Sequence, residues 1–256
     1  MGTHVVQGAF GMMHVSSGHC ALSTQLIIRF IICTRVSHVH DRLEKTPAHP
    51  AFRPHANLRH SICVMAATYP SEFAWRCMQP DGTRILIRPI RPEDRGIERE
   101  FVRNLSSESR YFRFMSAVNE LSEVMLTRFT RIDYARELAL IAVVTEDAHE
   151  KEIAVVRYVT NPDGKSCEFA IAVADAWQHR RIGRTLMICL MWAAHSRGLQ
   201  VMEGFVLSSN HKMLGLMHAL GFTISSVEGD VTLKNVSRIL ADASVPALPE
   251  MVIAAA

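Results

Sequence analysis

The sequence lacks the cysteine spacing that metal sites and disulfide frameworks require. None of its six cysteines forms a C-x-x-C pair, so neither a structural zinc site nor a disulfide-stapled secreted domain is indicated. The cysteines are Cys20, Cys33, Cys63, Cys77, Cys167 and Cys189. We therefore expect reduced thiols, no metal, and a cytoplasmic protein.

Long apolar runs are also missing. The only such run near the start, Leu26 to Cys33, is interrupted by Arg29 and is far shorter than the ~20 residues that span a bilayer. A signal peptide would need a continuous apolar core followed by small residues at a cleavage site, and neither is convincing here. The sequence thus predicts no association with a membrane.

The chain has little net charge where a folded domain is expected. Its formal charge is +3 over 256 residues, and the segment up to Cys63 alone carries +4, so the remainder sums to −1. A near-neutral body lacks the basic footprint of a nucleic-acid-binding protein. The G-x-x-x-x-G-K-[ST] loop of nucleotide triphosphatases is also absent, which argues against that class of enzyme.

The first 64 residues differ in composition from the rest. They hold eight of the thirteen histidines and show no sustained period of 2 or 3.6 residues that would mark a docked element. His38 and His40 leave a metal-binding or targeting tail open as one interpretation. Because such isolated pairs are common by chance, we favour a disordered leader over 1–64, or an extension translated from a misplaced start codon upstream of Met65.

Residues 69–240 show the regular patterns of one mixed α/β (α+β) domain, and the Ala- and Pro-rich segment 241–256 is expected to be a flexible tail. Alternation and turn signals predict strands, while N-capping residues and closing glycines predict helices. The predicted strands are 83–90, 137–145, 153–160, 166–174, 200–207 and two near Phe222 and Val231. The predicted helices begin at Arg91 or cover 107–114, 122–130, 181–196 and 210–220.

The most informative segment runs from Glu168 to Arg184. A strand enters a short polar turn and a helix follows at once, so the first amides of that helix lack intrahelical acceptors and lie at the positive end of its dipole. Arg180, Arg181 and Arg184 add positive charge where it opposes the dipole. A bound anion would reverse that penalty, so the pattern predicts a diphosphate site.

Gln178 to Gly183 resembles the Q/R-x-x-G-x-G/A loop with which the GNAT acetyltransferase superfamily binds the pyrophosphate of coenzyme A. Four further ordered segments between about Tyr69 and Leu240 resemble the acetyltransferase domain of bacterial protein lysine acetyltransferases. They are Ile87–Asp94, Ser109–Phe114, Ile132–Tyr134 and Met213–Phe222. The resemblance implies a central mixed, mostly antiparallel sheet of about six to seven strands, flanked by helices, with a splayed cleft for acetyl-CoA as co-substrate.

The loop departs from this pattern at one position, where Arg181 replaces the first loop glycine. Glycine lets the backbone approach a phosphate without a side chain in the way. An arginine can still offer its amide if its φ is negative, and its guanidinium suits phosphate oxygens. We expect weaker or altered binding of coenzyme A rather than none.

The resemblance also implies roles for individual residues. Ile171 and Val173 would give main-chain hydrogen bonds to the pantetheine and to the acyl carbonyl. Asn210 is expected to cap its helix and, by the resemblance, to reach the coenzyme. The complete set expected to bind the coenzyme is Ile171, Val173, Gln178, His179, Arg180, Arg181, Ile182, Gly183, Arg184 and Asn210.

A general base is needed because a lysine amine has a pKa near ~10.4 and must lose a proton before it attacks a thioester. Glu168 is the first candidate, since strand alternation places it on one face with the small residues Ala170 and Ala172. Glu203 on the next strand is the second candidate, and Glu137 is the third. The superfamily often has a tyrosine acid on the helix after Asn210, but this sequence has none there.

Three functions stay open at this point. The first is transfer of an acetyl group from acetyl-CoA to a primary amine, above all a protein lysine, by direct attack in a ternary complex. The second keeps this chemistry with a small amine as acceptor, and the third is a coenzyme-A-sensing module with little catalysis. The expected state is a monomer or a homodimer, with no nucleic acid or membrane as partner.

Overall fold

The structure is a computed structural model, and it describes residues 68–241, 246–248 and 252–254. The leader predicted over 1–64 therefore lies outside the described residues, as does much of the predicted tail. The strands are β1 (Trp75–Met78), β2 (Arg84–Pro89), β3 (Glu137–Glu146), β4 (His149–Thr160), β5 (Ser166–Val173), β6 (Val201–Leu207), β7 (Thr223–Val227), β8 (Asp230–Ile239) and β9 (Val252–Ala254). The α-helices are α1 (Arg95–Asn104), α2 (Ser107–Phe114), α3 (Glu123–Thr130), α4 (Ile182–Ser196) and α5 (His211–Ala219).

The described strands form one mixed sheet in the order β7-β8-β6-β5-β4-β3-β2-β1-β9. Every neighbouring pair is antiparallel except β5 and β6, which run parallel. The mixed, mostly antiparallel sheet is as predicted, but its nine strands exceed the expected six to seven. The additional strands are the short strands β1 and β9, of which β9 is at the edge of the sheet and lies in the segment expected to be a flexible tail.

The core has two layers because β3 and β4 are buried on both faces. Helix α4 packs on one face, where Leu186, Cys189 and Met191 are fully buried. Helices α1 to α3 cover the other face, where Phe101 and Leu126 pack against alternate residues of β3 and β4. The apolar side of α4, including Cys189, is therefore part of the core.

Strands β5 and β6 diverge after a very short ladder. Only Ser166–Glu168 pair with Val201–Glu203, although both strands continue well beyond. The ring of Phe169 lies against Gly204, where an added Cβ would approach a ring carbon to 2.9 Å. Because only glycine leaves that room, the aromatic ring fits at the point where the strands separate.

A buried ion pair fixes the entry to α1. The Arg88 guanidinium donates to both carboxylate oxygens of Asp94 at 2.7 Å, and Asp94 also accepts from the backbone N–H of Arg91 at 2.7 Å. Both partners of the pair are buried. The Arg88-to-Asp94 segment, which carried part of the family resemblance, thus has a structural explanation in its own contacts.

A second buried cluster lies between α1 and β4. The side chain of Glu152 is buried without a hydrogen-bonding donor for either carboxylate oxygen, and the Arg157 guanidinium is 3.7 Å from Glu98. Burial, and then the charge of Glu98, raise the pKa of Glu152 well above its ordinary value. Glu152 is therefore protonated in the folded chain at pH values where it ionises in the unfolded chain.

We expect Glu152→Gln to flatten the pH dependence of stability. Because the folded-state pKa of Glu152 is raised, the folded chain binds more protons than the unfolded chain above about pH 4.3, and stability falls as pH rises from there towards the folded pKa. The glutamine variant should be more stable than the parent at pH 8 by roughly 1 to 3 kcal/mol. Urea unfolding at pH 5 and pH 8 measures this.

The matched control is Glu120→Gln, which changes an exposed glutamate. It should leave the pH dependence of the free energy of unfolding unchanged. An equal loss of stability between pH 5 and pH 8 in the parent and in Glu152→Gln would contradict the expectation.

Candidate acyl-donor and acceptor cleft

A cavity of about 440 Å³ occupies the gap between the diverging strands. Its walls come from the second halves of β5 and β6, the loop before α4, the start of α4, helix α5 and helix α2. A space of this size is typical of small-molecule and cofactor sites. The divergence of β5 from β6 is therefore what creates the candidate site.

The loop Gln178–Arg181 adopts an uncommon backbone. Both His179 and Arg181 have a φ of 62°, and Arg181 is the N-cap of α4. The first backbone bond into the helix runs from Thr185 N to Arg181 O at 3.0 Å. Among the described residues, no acceptor is bonded to the backbone N–H groups of residues 179–184. The loop thus offers a cluster of amide donors at the positive end of α4.

Arg181 does not have the expected backbone conformation. An arginine could offer its amide at this position if its φ were negative, but the φ of Arg181 is positive. A left-handed conformation costs a residue with a Cβ roughly 1–2 kcal/mol. The loop keeps the backbone that glycine would adopt freely, so Arg181 is strained in it.

The three arginines of this segment point to different places. Arg181 and Arg184 line the cavity, and Arg184 also donates to the carbonyl of Ala219 at the end of α5 at 3.2 Å. Arg180 is not among the lining residues. Its guanidinium lies 4.9 Å from the centre of the Trp177 ring and 3.2 Å from Asp81. Arg180 could therefore serve an anion through its backbone more readily than through its side chain.

Strand β5 presents free main-chain groups to the cavity. The N–H of Ala174 bonds to Ile153 O on β4, so the alternate residues Val173 and Ile171 turn their N–H and C=O groups towards the open side. The β5–β6 ladder has already ended there, and the Val173 carbonyl accepts from Gln178 Nε2 at 3.3 Å. The two residues expected to offer main-chain hydrogen bonds thus lie on the free edge.

Gly183 and Ile182 complete this wall. A Cβ on Gly183 would meet side-chain atoms of Val173, Leu216 and Ile171 at 3.5 to 3.7 Å, which is ordinary contact. Glycine is therefore not required here by space alone. Ile182 is buried beneath the loop and also borders the cavity.

The two leading base candidates are brought together. Glu168 and Glu203 are register partners in the parallel ladder, so their side chains lie on one face at the inner end of the gap. Neither lines the cavity itself, which begins one residue after Glu168, at Phe169, and two residues after Glu203, at Phe205. Asn161 Nδ2 donates to Glu203 Oε1 at 2.8 Å, so that carboxylate is held by the β4–β5 turn.

Glu137, the third candidate, lies elsewhere. It is at the start of β3, it is paired with Arg128, and it does not border the cavity. Asn210 does border the cavity, and its Oδ1 caps α5 by accepting from Met213 N at 3.1 Å. The capping role expected for Asn210 is confirmed, while its role towards a ligand stays a prediction.

Sequence reasoning missed the contribution of α2. This helix supplies Glu108, Ser109, Phe112 and Arg113 to the cavity, and Lys212 adds a cation from α5. The segment Ser109–Phe114 was part of the family resemblance, but nothing in its spacing connects it to a loop about 70 residues later. Only the packing of α2 beside β5 brings the two together.

Two other kinds of feature, a metal-binding cluster and a membrane-spanning helix, are absent from the described residues. No group of three or more His, Cys, Asp or Glu side chains that could hold a metal ion occurs in that part of the chain. Within the same residues, no helix has the length and apolar character needed to cross a bilayer.

Comparisons with known proteins agree with this geometry. The family model of the acetyltransferase (GNAT) domain matches residues 84–223. An acetyltransferase of Pseudomonas aeruginosa is 37% identical over 165 residues, which cover 62% of this chain and 89% of the relative.

A second relative is a longer protein, and a third has a crystal structure. Acetyltransferase Pat of Mycolicibacterium smegmatis is 34% identical over 143 residues, 55% of this chain and 41% of that protein, so the match spans less than half of its length. The crystal structure of the GNAT domain of S. lividans PAT superposes with a TM-score of 0.61 at 26% identity, covering 67% of this chain and 99% of that one. The chain therefore belongs to the GNAT acetyltransferase family and has its mixed α/β fold.

Proposed function

We propose that this chain transfers an acetyl group from acetyl-CoA to a primary amine, in the first place a protein lysine side chain, and that it acts in the cytoplasm. The observation that carries the proposal is the gap between β5 and β6, which ends at two carboxylates and opens under a loop with free amides. Such a gap can hold a long anionic donor along β5 and admit a second substrate from the side that α2 lines.

The donor fits this site by its charges and its length. Its diphosphate would take the free amides of residues 179–184, with Arg181, Arg184 and Gln178 beside it. From Val173 back to Glu168 the strand spans about 17 Å. A pantetheine arm has about 13 bonds between phosphate and sulfur, or about 16 Å when extended like a backbone, so it is long enough to carry the thioester along β5 in the direction of Glu168.

The main chain of β5 would then form the oxyanion hole. The N–H groups of Ile171 and Val173 face the gap without a strand partner and would bond the arm and the thioester oxygen. Negative charge develops on that oxygen when the amine attacks. Preorganised donors aimed at such charge are usually the largest single term in acyl transfer.

Glu168 is the proposed general base. The acceptor ammonium gives a proton to the Glu168 carboxylate, directly or through water, and the freed nitrogen attacks the thioester carbon. The C–S bond then breaks, the nitrogen loses its second proton to the departing thiolate or to water, and coenzyme A leaves. Ala170 shares the face of Glu168 and lines the cavity, so the approach is not blocked by a large side chain. Glu203 is the alternative base.

Departure of the thiolate needs little help from the protein. Helix α5 contains no tyrosine that could act as an acid, and His211 is exposed and does not line the cavity. Since a thiol pKa is near ~8.5, a thiolate is a tolerable leaving group at neutral pH. We therefore assign no acid on this helix.

The strain at Arg181 favours a second candidate, a coenzyme-A-sensing module with little turnover. Two measurements distinguish the protein acetyltransferase, the sensor and an enzyme that acetylates small amines. Purified protein with acetyl-CoA should release coenzyme A in the presence of lysine-bearing protein, and mass spectrometry of a treated lysate should show new acetyl-lysine. Binding without release would favour the sensor, and release only with small amines would favour the second acceptor class.

We expect Glu168→Gln to lower kcat by a factor of about 10² to 10⁴, the usual contribution of a general base. The dissociation constant for coenzyme A should stay near that of the parent, because the glutamine keeps the size of the side chain. Steady-state release of coenzyme A and calorimetry measure the two quantities.

Glu203→Gln is the matched variant on the register partner of Glu168. It should lower kcat by less than about tenfold, below the range of a general base. A large loss in Glu203→Gln with an unaffected Glu168→Gln would assign the base to Glu203 instead.

We expect Arg181→Gly to bind coenzyme A more tightly, by a factor of about 3 to 10, because glycine holds the positive φ of this position without the cost of a Cβ and so keeps the free loop in its binding arrangement more of the time. Arg181→Lys is the control, since it keeps both a cation and the strain and should show no gain. Calorimetric titration with coenzyme A measures both variants. Weaker binding by Arg181→Gly would mean that the guanidinium contact outweighs the backbone strain.

A further inference from the structure

One exposed carboxylate connects two walls of the cleft that are far apart in sequence. Asp175 lies in the short turn after β5, just before the phosphate-binding loop. Its Oδ2 accepts from the backbone N–H of Ser106 at 2.8 Å. Its Oδ1 accepts from the hydroxyls of Ser106 and Ser109, each at 2.7 Å.

Gln178 adds a second connection beside the first. Its Nε2 donates to Ser109 Oγ at 3.2 Å and to the carbonyl of Val173 at 3.3 Å. We call Ser106, Ser109, Asp175 and Gln178 the serine clamp. The clamp joins the start of α2 to both ends of the turn between β5 and the loop.

The two elements that the clamp joins serve different parts of the cleft. Helix α2 lines the cavity with Glu108, Phe112 and Arg113, whereas the loop supplies the free amides. An isolated helix of eight residues is not stable by itself, so its place depends on its contacts. A carboxylate at its N-terminus satisfies a backbone donor and complements the helix dipole.

The clamp carboxylate is ionised over the ordinary pH range. Partial burial raises the pKa of Asp175, but the hydrogen bonds from Ser106 and Ser109 together outweigh that effect and hold the pKa below its ordinary value. Each contact is therefore a hydrogen bond to a charged acceptor, which is stronger than one between neutral groups.

We propose that Asp175 is a positioning residue that holds α2 and the phosphate-binding loop in one arrangement, so that binding of the donor orders the wall facing the acceptor. This rests on the proposed function, because it takes the loop as the donor site. Asp175 touches neither substrate in this scheme and acts through α2. The two walls then respond to a ligand as one unit.

The test is Asp175→Asn, which keeps the shape of the side chain but turns an amide NH₂ towards donors. We expect calorimetry to show about tenfold weaker binding of coenzyme A, the equivalent of about one charge-assisted hydrogen bond. Asp230→Asn is the matched control. Asp230 accepts from the backbone N–H and the hydroxyl of Thr232, at 2.8 and 2.6 Å, in the turn between β7 and β8. Asp230→Asn should bind coenzyme A like the parent.

A double-mutant cycle with Ser106→Ala shows whether the effect passes through α2. Ser106 does not line the cavity, and its Oγ both donates to Asp175 and caps α2 by accepting from the Ser109 N–H at 3.1 Å, so Ser106→Ala should weaken binding only through α2, by about threefold. The double variant should bind no more weakly than Asp175→Asn. Additive losses, or an Asp175→Asn variant that binds like the parent, would overturn the proposal.

Hydrogen exchange gives an independent readout. Saturating coenzyme A should slow exchange across residues 107–114 in the parent but not in Asp175→Asn, while residues 179–184 are slowed in both. Unchanged protection of 107–114 in the variant would overturn the proposal. If Asp175→Asn does not fold, Ser106→Ala carries both measurements. A parent chain that does not bind coenzyme A would instead contradict the proposed function.

Discussion

The separation of two parallel strands is the constraint on which the rest of the site depends. Strands β5 and β6 pair over three residues and then part at Phe169 and Gly204. A continuous ladder would satisfy the main-chain groups of β5 and leave no gap. Because it stops, the free edge of β5 needs another partner, and a ligand rich in amides and carbonyls can supply it.

The sequence predicted those features that local chemistry determines. The strand, turn and helix around the loop and the cap at Asn210 follow from residue types at fixed offsets, and they are confirmed. The resemblance then added the mixed sheet and the divergence of its strands. The short strands β1 and β9 were missed, since runs of four and three residues carry too little alternation to be read.

Features that depend on distant contacts could not be predicted in the same way. The φ of Arg181 is positive, although the residue type suggested the opposite sign. Likewise, only the fold aims Arg180 at Asp81 and Trp177 rather than into the cavity. The same holds for α2, whose side chains form a wall of the cleft although no spacing in the chain links them to the loop.

The choice of arginine at the mouth of the cleft has a chemical consequence. The cations of the loop and of the first turn of α4 are Arg180, Arg181 and Arg184, with no lysine among them. A guanidinium stays protonated at any physiological pH and so has no free electron pair with which to attack an activated ester. The positive charge at this end of the cavity is thus chemically inert and does not change across that pH range.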